Sequence, residues 1–448
     1  MRKIFKQTFF LSVLLMVLVL SFTQPIWAAS TEDKWVTSWA GSVQGPYPVG
    51  NPSAQPDLSL VFPSAEIGAR DQSFRLVVKP DIWSKQTRIR LSNAFGTKPV
   101  TFDGVFIGLH MASSAVVNGT NHEVTFGGKK SVTVAPGDFV WSDAVALGFV
   151  KDPSDKLLTG RKLSVSFHVV GESGPMTWHA KALTTSYVTA TDAGAKGHDI
   201  DEASFPFATA SWYFLDAVDM MAPADTRLIV AFGDSITDGT ASTINGDDRW
   251  PDVLSRRLHA LYGNKIVVAN AGIGGNQVAG PIEYSTSTPF LGGPSARQRI
   301  ERDVLSLSGV SSMIWLEGIN DFSKNGNREA DVVKSTMEDL VKQIRARNPK
   351  MKIFGATVTS ALGSTSGAHG FPEQDEKRKS LNEFIRTSRI FDGVIDFDVI
   401  VLDPQTGGMR AEFVPENTTG GPGDKLHPNR LGYRAMGLSV DLEMLLQP

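Results

Sequence analysis

The sequence has no cysteine among its 448 residues. Disulfides, zinc thiolate sites, iron–sulfur clusters, a thiol nucleophile and a cysteine lipid anchor are therefore excluded, and any nucleophile must be an oxygen or a nitrogen. A surplus of positive charge is also missing, since 44 Lys and Arg face 47 Asp and Glu for a formal net charge of −3. Such a chain is not expected to bind nucleic acid or another polyanion. Long hydrophobic runs are scarce. The one near the N-terminus, Phe9 to Phe22, falls short of the roughly 20 residues that a spanning helix needs. It follows a basic start through Lys6 and precedes Thr23-Gln24-Pro25-Ile26-Trp27-Ala28-Ala29, the three-part pattern of a secretory signal. Residues 1–28 are expected to be a signal peptide cleaved after Ala28 or Ala29, leaving a secreted or periplasmic protein with no stable membrane insertion.

What is present fits a soluble globular protein: 41% hydrophobic and 20% charged residues, over a length that suggests two or three domains. Residues 31–222 show period-two alternation. Leu163, Val165, Phe167 and Val169 alternate with Ser164, Ser166 and His168, and Ile89 and Leu91 with Arg88 and Arg90, as on half-buried strands. Short strands separated by Gly, Pro, Asn and Asp clusters predict an antiparallel, jelly-roll-like β-sandwich domain. Residues 223–448 instead alternate short apolar runs with helical stretches. Strands are predicted at Arg227 to Phe232, Lys265 to Ala269, Met313 to Glu317, Lys352 to Val358 and Gly393 to Phe397. Helices are predicted at Trp250 to Tyr262, Arg297 to Leu307 and Asp375 to Arg386, and around Val333, Met337, Leu340, Val341 and Ile344. This order predicts an α/β domain with a parallel sheet covered on both faces, whose ligands bind beyond the carboxyl ends of the strands.

The loops after those strands carry the chemistry. The first is Gly233-Asp234-Ser235-Ile236-Thr237-Asp238-Gly239, where a serine at a strand-to-helix turn can present its hydroxyl and its own N–H. A hydroxyl needs a base, usually histidine near neutral pH. Of the eight histidines, three lie in this half. His259 sits inside a helix, where a surface or packing role is expected. His369 lies in the loop Gly363 to Gly370 and could border a pocket, although a solvated position is favoured. His427, in Asp424-Lys425-Leu426-His427, has a carboxylate three residues earlier that can fold back onto the imidazole and fix its tautomer. After the second strand comes Asn270-Ala271-Gly272-Ile273-Gly274-Gly275-Asn276-Gln277. Gln277 stands where a dinucleotide fingerprint needs its third glycine. After the third comes Glu317-Gly318-Ile319-Asn320-Asp321. A glycine N–H and an Asn amide are two further donors for an oxyanion.

Taken together, these four blocks resemble the SGNH hydrolases, the GDSL esterase and lipase family. The resemblance spans about residues 226 to 446 and implies a three-layer α/β/α domain. It implies Ser235 as nucleophile, Gly275 and Asn320 as oxyanion donors with the Ser235 N–H, His427 as general base and acid, and Asp424 as its orienting carboxylate. Two departures stand out. Ile319 replaces a glycine common in the third block and is expected to reshape the pocket wall, and a Gly-rich insertion, Thr418 to Gly423, precedes Asp424. The segments Trp35 to Ala40, Leu91 to Gly96, Arg249 to Asp252 and Phe391 to Asp398 look like those of exported two-domain members with an N-terminal β-domain.

The expected activity is hydrolysis of carboxylic esters through an acyl-enzyme, with small esters, acetylated glycans or lipids as candidate substrates and no metal or cofactor required. Two other readings compete. An acyltransferase would pass the acyl group to a sugar or alcohol, and a glycan-binding protein with a vestigial triad would use tryptophans such as Trp35, Trp39, Trp83 and Trp212 to stack on sugars, although strand tryptophans more often belong to the core.

Overall fold

A computed structural model describes residues 32–414 and 421–447. The expected signal peptide and its cleavage site lie outside the described residues, as does the start of the Gly-rich insertion. Among the described residues no helix is long and apolar enough to cross a membrane.

The region up to Ala222 is built from antiparallel strands. Lys34–Ala40, Leu215–Ala222 and Gln86–Ser92 lie side by side in one sheet, and Arg70–Val78, Leu163–Glu172 and Val100–Leu109 form the centre of another. Their apolar side chains meet in one core, in which the ring of Phe214 packs edge-on against Phe74 and Phe102. A third, small sheet joins Thr177–His179 to Trp212–Tyr213 and Gly45–Pro46.

The alternating strands are not half-exposed as their pattern predicts. Ser164, Ser166 and His168 are buried opposite Leu163, Val165 and Phe167, because each polar side chain finds a polar partner. Ser166 accepts from the Arg75 guanidinium, and His168 lies between Asp103 and Asp71. On Gln86–Ser92 the polar face is covered by the second half of the chain. Arg90 pairs with Asp216 at 2.6 Å and reaches Ser306, while Arg88 pairs with Asp219 and reaches Ser308. Alternation thus marked two buried faces of different chemistry.

The second half has five parallel strands in the order Ile266–Gly272, Arg227–Gly233, Val310–Leu316, Lys352–Ala356, Gly393–Ile395. The chain winds outward in both directions from Arg227–Gly233, so a crevice opens at the carboxyl end of that strand. Alternate residues supply two cores. Leu228, Val230 and Phe232 share a cluster with the antiparallel region and with Val333, Met337, Leu340, Val341 and Ile344 of the helix Ala330–Arg347. Ile229 and Ala231 face Trp250, Leu254 and Leu258 of Trp250–Tyr262 and Tyr433 and Met436 of Arg430–Ser439. Helices therefore cover the sheet on both sides.

From Asp33 onward the chain is one compact unit, because the first core is continuous and polar groups bridge its two parts. Asp81, from the antiparallel region, accepts hydrogen bonds from the Val268 N–H at 2.8 Å, His259 Nε2 at 3.0 Å and the Ser255 hydroxyl. Lys79 pairs with Asp252 at 3.0 Å and Lys162 with Asp247 at 3.4 Å. Burial opposes the charge on His259, but its bond to Asp81 and that carboxylate's charge outweigh burial and raise its pKa. Replacing Asp81 by Ala would strand one backbone donor and one imidazole in the interior. The expected loss is about 3 kcal/mol, read as a lower urea midpoint with an unchanged slope.

Candidate active site

The strand Arg227–Gly233 ends at a position where nothing larger than glycine fits: a Cβ there would stand 2.2 Å from the Leu316 carbonyl oxygen. Asp234 caps the turn that follows, accepting the Ile236 N–H at 3.0 Å, and the single helical turn Ser235–Asp238 stops at Gly239 with φ 101°. Burial pushes the Asp234 carboxyl well above the ordinary range. Ser235 is thereby held at the first position of a helical turn on the ligand edge of the sheet.

The turn leading into the helix Arg430–Ser439, which Asn429 caps, brings His427 to the same edge. His427 Nε2 lies 2.8 Å from Ser235 Oγ, and His427 Nδ1 lies 2.6 Å from Asp424 Oδ2. The other carboxylate oxygen accepts the N–H groups of Leu426 and His427, each at 2.9 Å. Burial opposes ionisation of Asp424, but its bonds to His427 and to these two N–H groups hold it below the usual carboxylate range. A charged Asp424 keeps the proton on Nδ1 and leaves Nε2 to accept from the serine. The backbone carbonyl of Asp424 is itself fixed by the Ser364 hydroxyl at 2.7 Å and the Thr365 N–H at 3.0 Å.

Gly275 and Asn320 line the same cavity of about 270 Å³ as Ser235 and His427. Gly275 has φ +83°, in the left-handed region that favours glycine, and a Cβ on it would meet Asn51 Nδ2 at 2.8 Å. Asn320 donates one amide hydrogen to the Asn276 carbonyl at 2.9 Å, leaving the second for the cavity. Neither the Ser235 nor the Gly275 N–H has an acceptor among the described residues. Asp321 fastens the loop after the second strand by accepting the N–H groups of Val278 and Ala279, each at 2.8 Å, and burial raises its pKa to about 7.

One buried side chain ties these loops to the sheet. The Arg299 guanidinium donates to the carbonyls of Gly233 at 2.7 Å and Ala271 at 2.8 Å, to Asn276 Oδ1 at 2.7 Å and to Asp303 at 3.1 Å. Glu317, at the end of the third strand, stands 3.8 Å away.

Two expectations need correction and two residues were not anticipated. His369 is not a freely solvated loop residue but half-buried, lining the cavity with Nε2 3.3 Å from Asn320 Oδ1 and Nδ1 3.4 Å from the Ser366 hydroxyl. An amide oxygen only accepts, so His369 carries its proton on Nε2 and fixes which way the Asn320 amide faces. Ile319 does not shape the pocket wall, because its side chain is buried in the core beneath. The unanticipated residues are Asn51 and Lys181, both from the antiparallel region and both lining the cavity. Neither stands in a motif, and only the folding of the first half onto the second brings them there. Among the described residues no group of three or more His, Asp or Glu side chains could hold a metal ion.

Burial and the neighbouring His427 lower the His369 pKa from 6.5 to about 4. The folded state thus binds fewer protons there than the unfolded state, and the corresponding stability, full above pH 6.5, is lost as pH falls toward 4. The His369 ring resonances should titrate near pH 4 by NMR, and His369→Asn should flatten the stability curve between those limits.

Residues 231–435 match the family described as GDSL-like Lipase/Acylhydrolase. No curated protein is similar to the chain. Similar solved structures include a lipase/acylhydrolase from Enterococcus faecalis, 21% identical over 48% of this chain and 93% of that one, and a carbohydrate acetylesterase from Sinorhizobium meliloti, 14% identical over 47% and 95%. A third, an aryl esterase from M. smegmatis, is 16% identical over 48% and 95%, and the TM-score is 0.35 for each of the three. With the parallel sheet and the family match coinciding, the C-terminal half of the chain is a GDSL/SGNH hydrolase domain, preceded by a region of antiparallel β-sheets.

Proposed function

We propose that the protein is an exported serine carboxylic ester hydrolase acting through an acyl-enzyme on Ser235. The observation that carries this reading is the continuous chain Ser235 Oγ, His427 Nε2, His427 Nδ1, Asp424 Oδ2, with spacings of 2.8 and 2.6 Å across its two hydrogen bonds. Ser235 Oγ attacks the ester carbonyl while His427 takes its proton, and Asp424 stabilises the imidazolium that forms. The oxyanion is received by the N–H groups of Ser235 and Gly275 and by the free amide hydrogen of Asn320. His427 then returns the proton to the departing alcohol. In the second half it takes a proton from water, whose oxygen attacks the acyl-enzyme, and gives that proton to Ser235 Oγ as the acyl–oxygen bond breaks and the acid leaves.

The division into a β-domain, 31–222, and a hydrolase domain, 223–448, is part of the same proposal, with the first supplying one wall of the pocket through Asn51 and Lys181. The glycan-binding reading loses its support, since Trp39, Trp83 and Trp212 are buried and the partly buried Trp35 is covered by the Arg88 guanidinium 4.7 Å from its ring centroid. A transferase would use the same serine, so product analysis with an added sugar or alcohol acceptor separates it from a hydrolase. Export is tested by N-terminal sequencing of the mature protein, which should begin at Ala29 or Ser30.

Hydrolysis of 4-nitrophenyl acetate, butyrate, octanoate and palmitate should be lost in Ser235→Ala. Asn320→Ala should retain the fold by circular dichroism while kcat falls by about 10²–10³. Activity surviving in Ser235→Ala would overturn the assignment of the nucleophile, and near-normal turnover in Asn320→Ala that of the oxyanion donor.

A further inference from the structure

Lys181 follows the short strand Thr177–His179, far in sequence from the hydrolase motifs. It is only 4% exposed, yet it lines the cavity that holds Ser235. Its ammonium has three donors but makes one hydrogen bond, at 2.6 Å to Thr240 Oγ1. No carboxylate among the described residues lies within 4.0 Å of it. The fields of Asp238, Asp424 and Asp234 reach Lys181, but each of these groups is engaged elsewhere. Asp238 accepts from the Gly274 N–H at 2.9 Å and meets His179 at 3.2 Å, Asp424 holds His427, and Asp234 caps the serine turn. Burial outweighs those fields and pushes the lysine's pKa down. A buried cation with no carboxylate in contact is costly, so an anion that reaches it in the cavity gains a direct partner.

The cation also stands where it can act on a bound ester. Its Nζ would lie 2.9 Å from a Cβ on Gly274, and Asn51 donates to the Gly274 carbonyl at 3.1 Å. Lys181 and Asn51 therefore flank the turn that carries the Gly275 N–H. We propose that Lys181, positioned by Thr240 and flanked by Asn51, is the anchor of an anion subsite, and that the preferred substrates are esters carrying a carboxylate a few bonds from the scissile carbonyl. O-acylated acidic sugars and half-esters of dicarboxylic acids have this chemistry. The proposal rests on the serine esterase reading and narrows its substrate class.

Two matched pairs of esters test it. Mono-4-nitrophenyl glutarate against 4-nitrophenyl pentanoate places the carboxylate on the acyl side, and 3-acetoxybenzoate against phenyl acetate places it on the alcohol side. In the wild type, kcat/KM for the charged member of at least one pair should exceed that of its neutral partner by about 10- to 100-fold, the range of a charge-assisted hydrogen bond. Lys181→Met should bring that ratio to one or below, and Lys181→Arg should restore part of it. Because Lys181→Met removes a buried group and could unfold, inhibition of the wild type gives an independent reading. Glutarate or 3-hydroxybenzoate should compete with 4-nitrophenyl acetate at least tenfold more tightly than glutaramide or phenol. Equal rates within both pairs, or a ratio unchanged in a folded Lys181→Met that merely melts earlier, would overturn the subsite while leaving the esterase intact. No hydrolysis of any ester, or hydrolysis that survives Ser235→Ala, would overturn the esterase reading and the subsite with it.

Discussion

Arg299 sits with its side chain wholly out of solvent and its guanidinium 3.8 Å above the ring of Phe232. Its donors hold carbonyls near the ends of the two neighbouring strands that feed the serine loop and the glycine loop, and its charge answers Asp303 and the Glu317 carboxylate just beyond the third strand. Carbonyls at strand ends run short of ladder partners, and that of Gly233 keeps the Ile273 N–H at 3.0 Å while gaining Arg299 as a second donor. One planar cation with five donors satisfies several of them at once. The registration of Ser235, Gly275 and Asn320 follows from this, because each stands within four residues of an atom that Arg299 touches or faces. None of the three touches Arg299 itself. The arginine acts by fixing the backbone from which they project.

The same economy recurs at the junction of the two halves. The antiparallel region contributes polar side chains where a free-standing sandwich would show an exposed face, and they meet loops and helix ends of the α/β half: Asp81 at the start of a parallel strand, Asp219 and Arg88 at Ser308, His179 at Asp238. The last contact matters most. Asp238 receives the imidazole on one oxygen and the Gly274 N–H on the other. A histidine from the first half thus braces the helical turn of the serine against the glycine loop.

Sequence made the parallel sheet and the motif residues legible because both obey local rules. Apolar runs bounded by Gly and Asp mark strands, and chemistry-bearing loops follow strand ends. Trp250–Tyr262 has the bounds its pattern predicts, with Asp252 returning to the Arg249 N–H at its start. The helix expected over Arg297 to Leu307 was less legible, since the α-helix spans Ala296–Ile300 and then widens into a π-turn over Glu301–Leu305. What stayed hidden depended on contacts between distant segments. Ser164, Ser166 and His168 looked solvent-facing because nothing local announces that Arg75, Asp71 and Asp103 cover them. His369 looked like a loop residue because its Asn320 partner lies 49 positions away. Asn51 and Lys181 sit in segments without any motif, and their presence in the cavity is a property of the assembled chain alone. Ile319 was misread for the opposite reason: the next residue, Asn320, faces the cavity, but the Ile319 side chain lies in the core.

Asn51 and Gly275 are separated by more than two hundred positions, yet a Cβ at one would collide with the amide of the other. The cavity wall is therefore a joint between two stretches of chain that have to be inherited together. The α/β half transplanted onto another scaffold would keep Ser235, His427 and Asp424 but lose the lysine and the asparagine that complete its cavity wall. On the anion-subsite proposal, selectivity resides in the antiparallel region, so new substrate preferences could arise by exchanging that region while Ser235 and His427 stay in place.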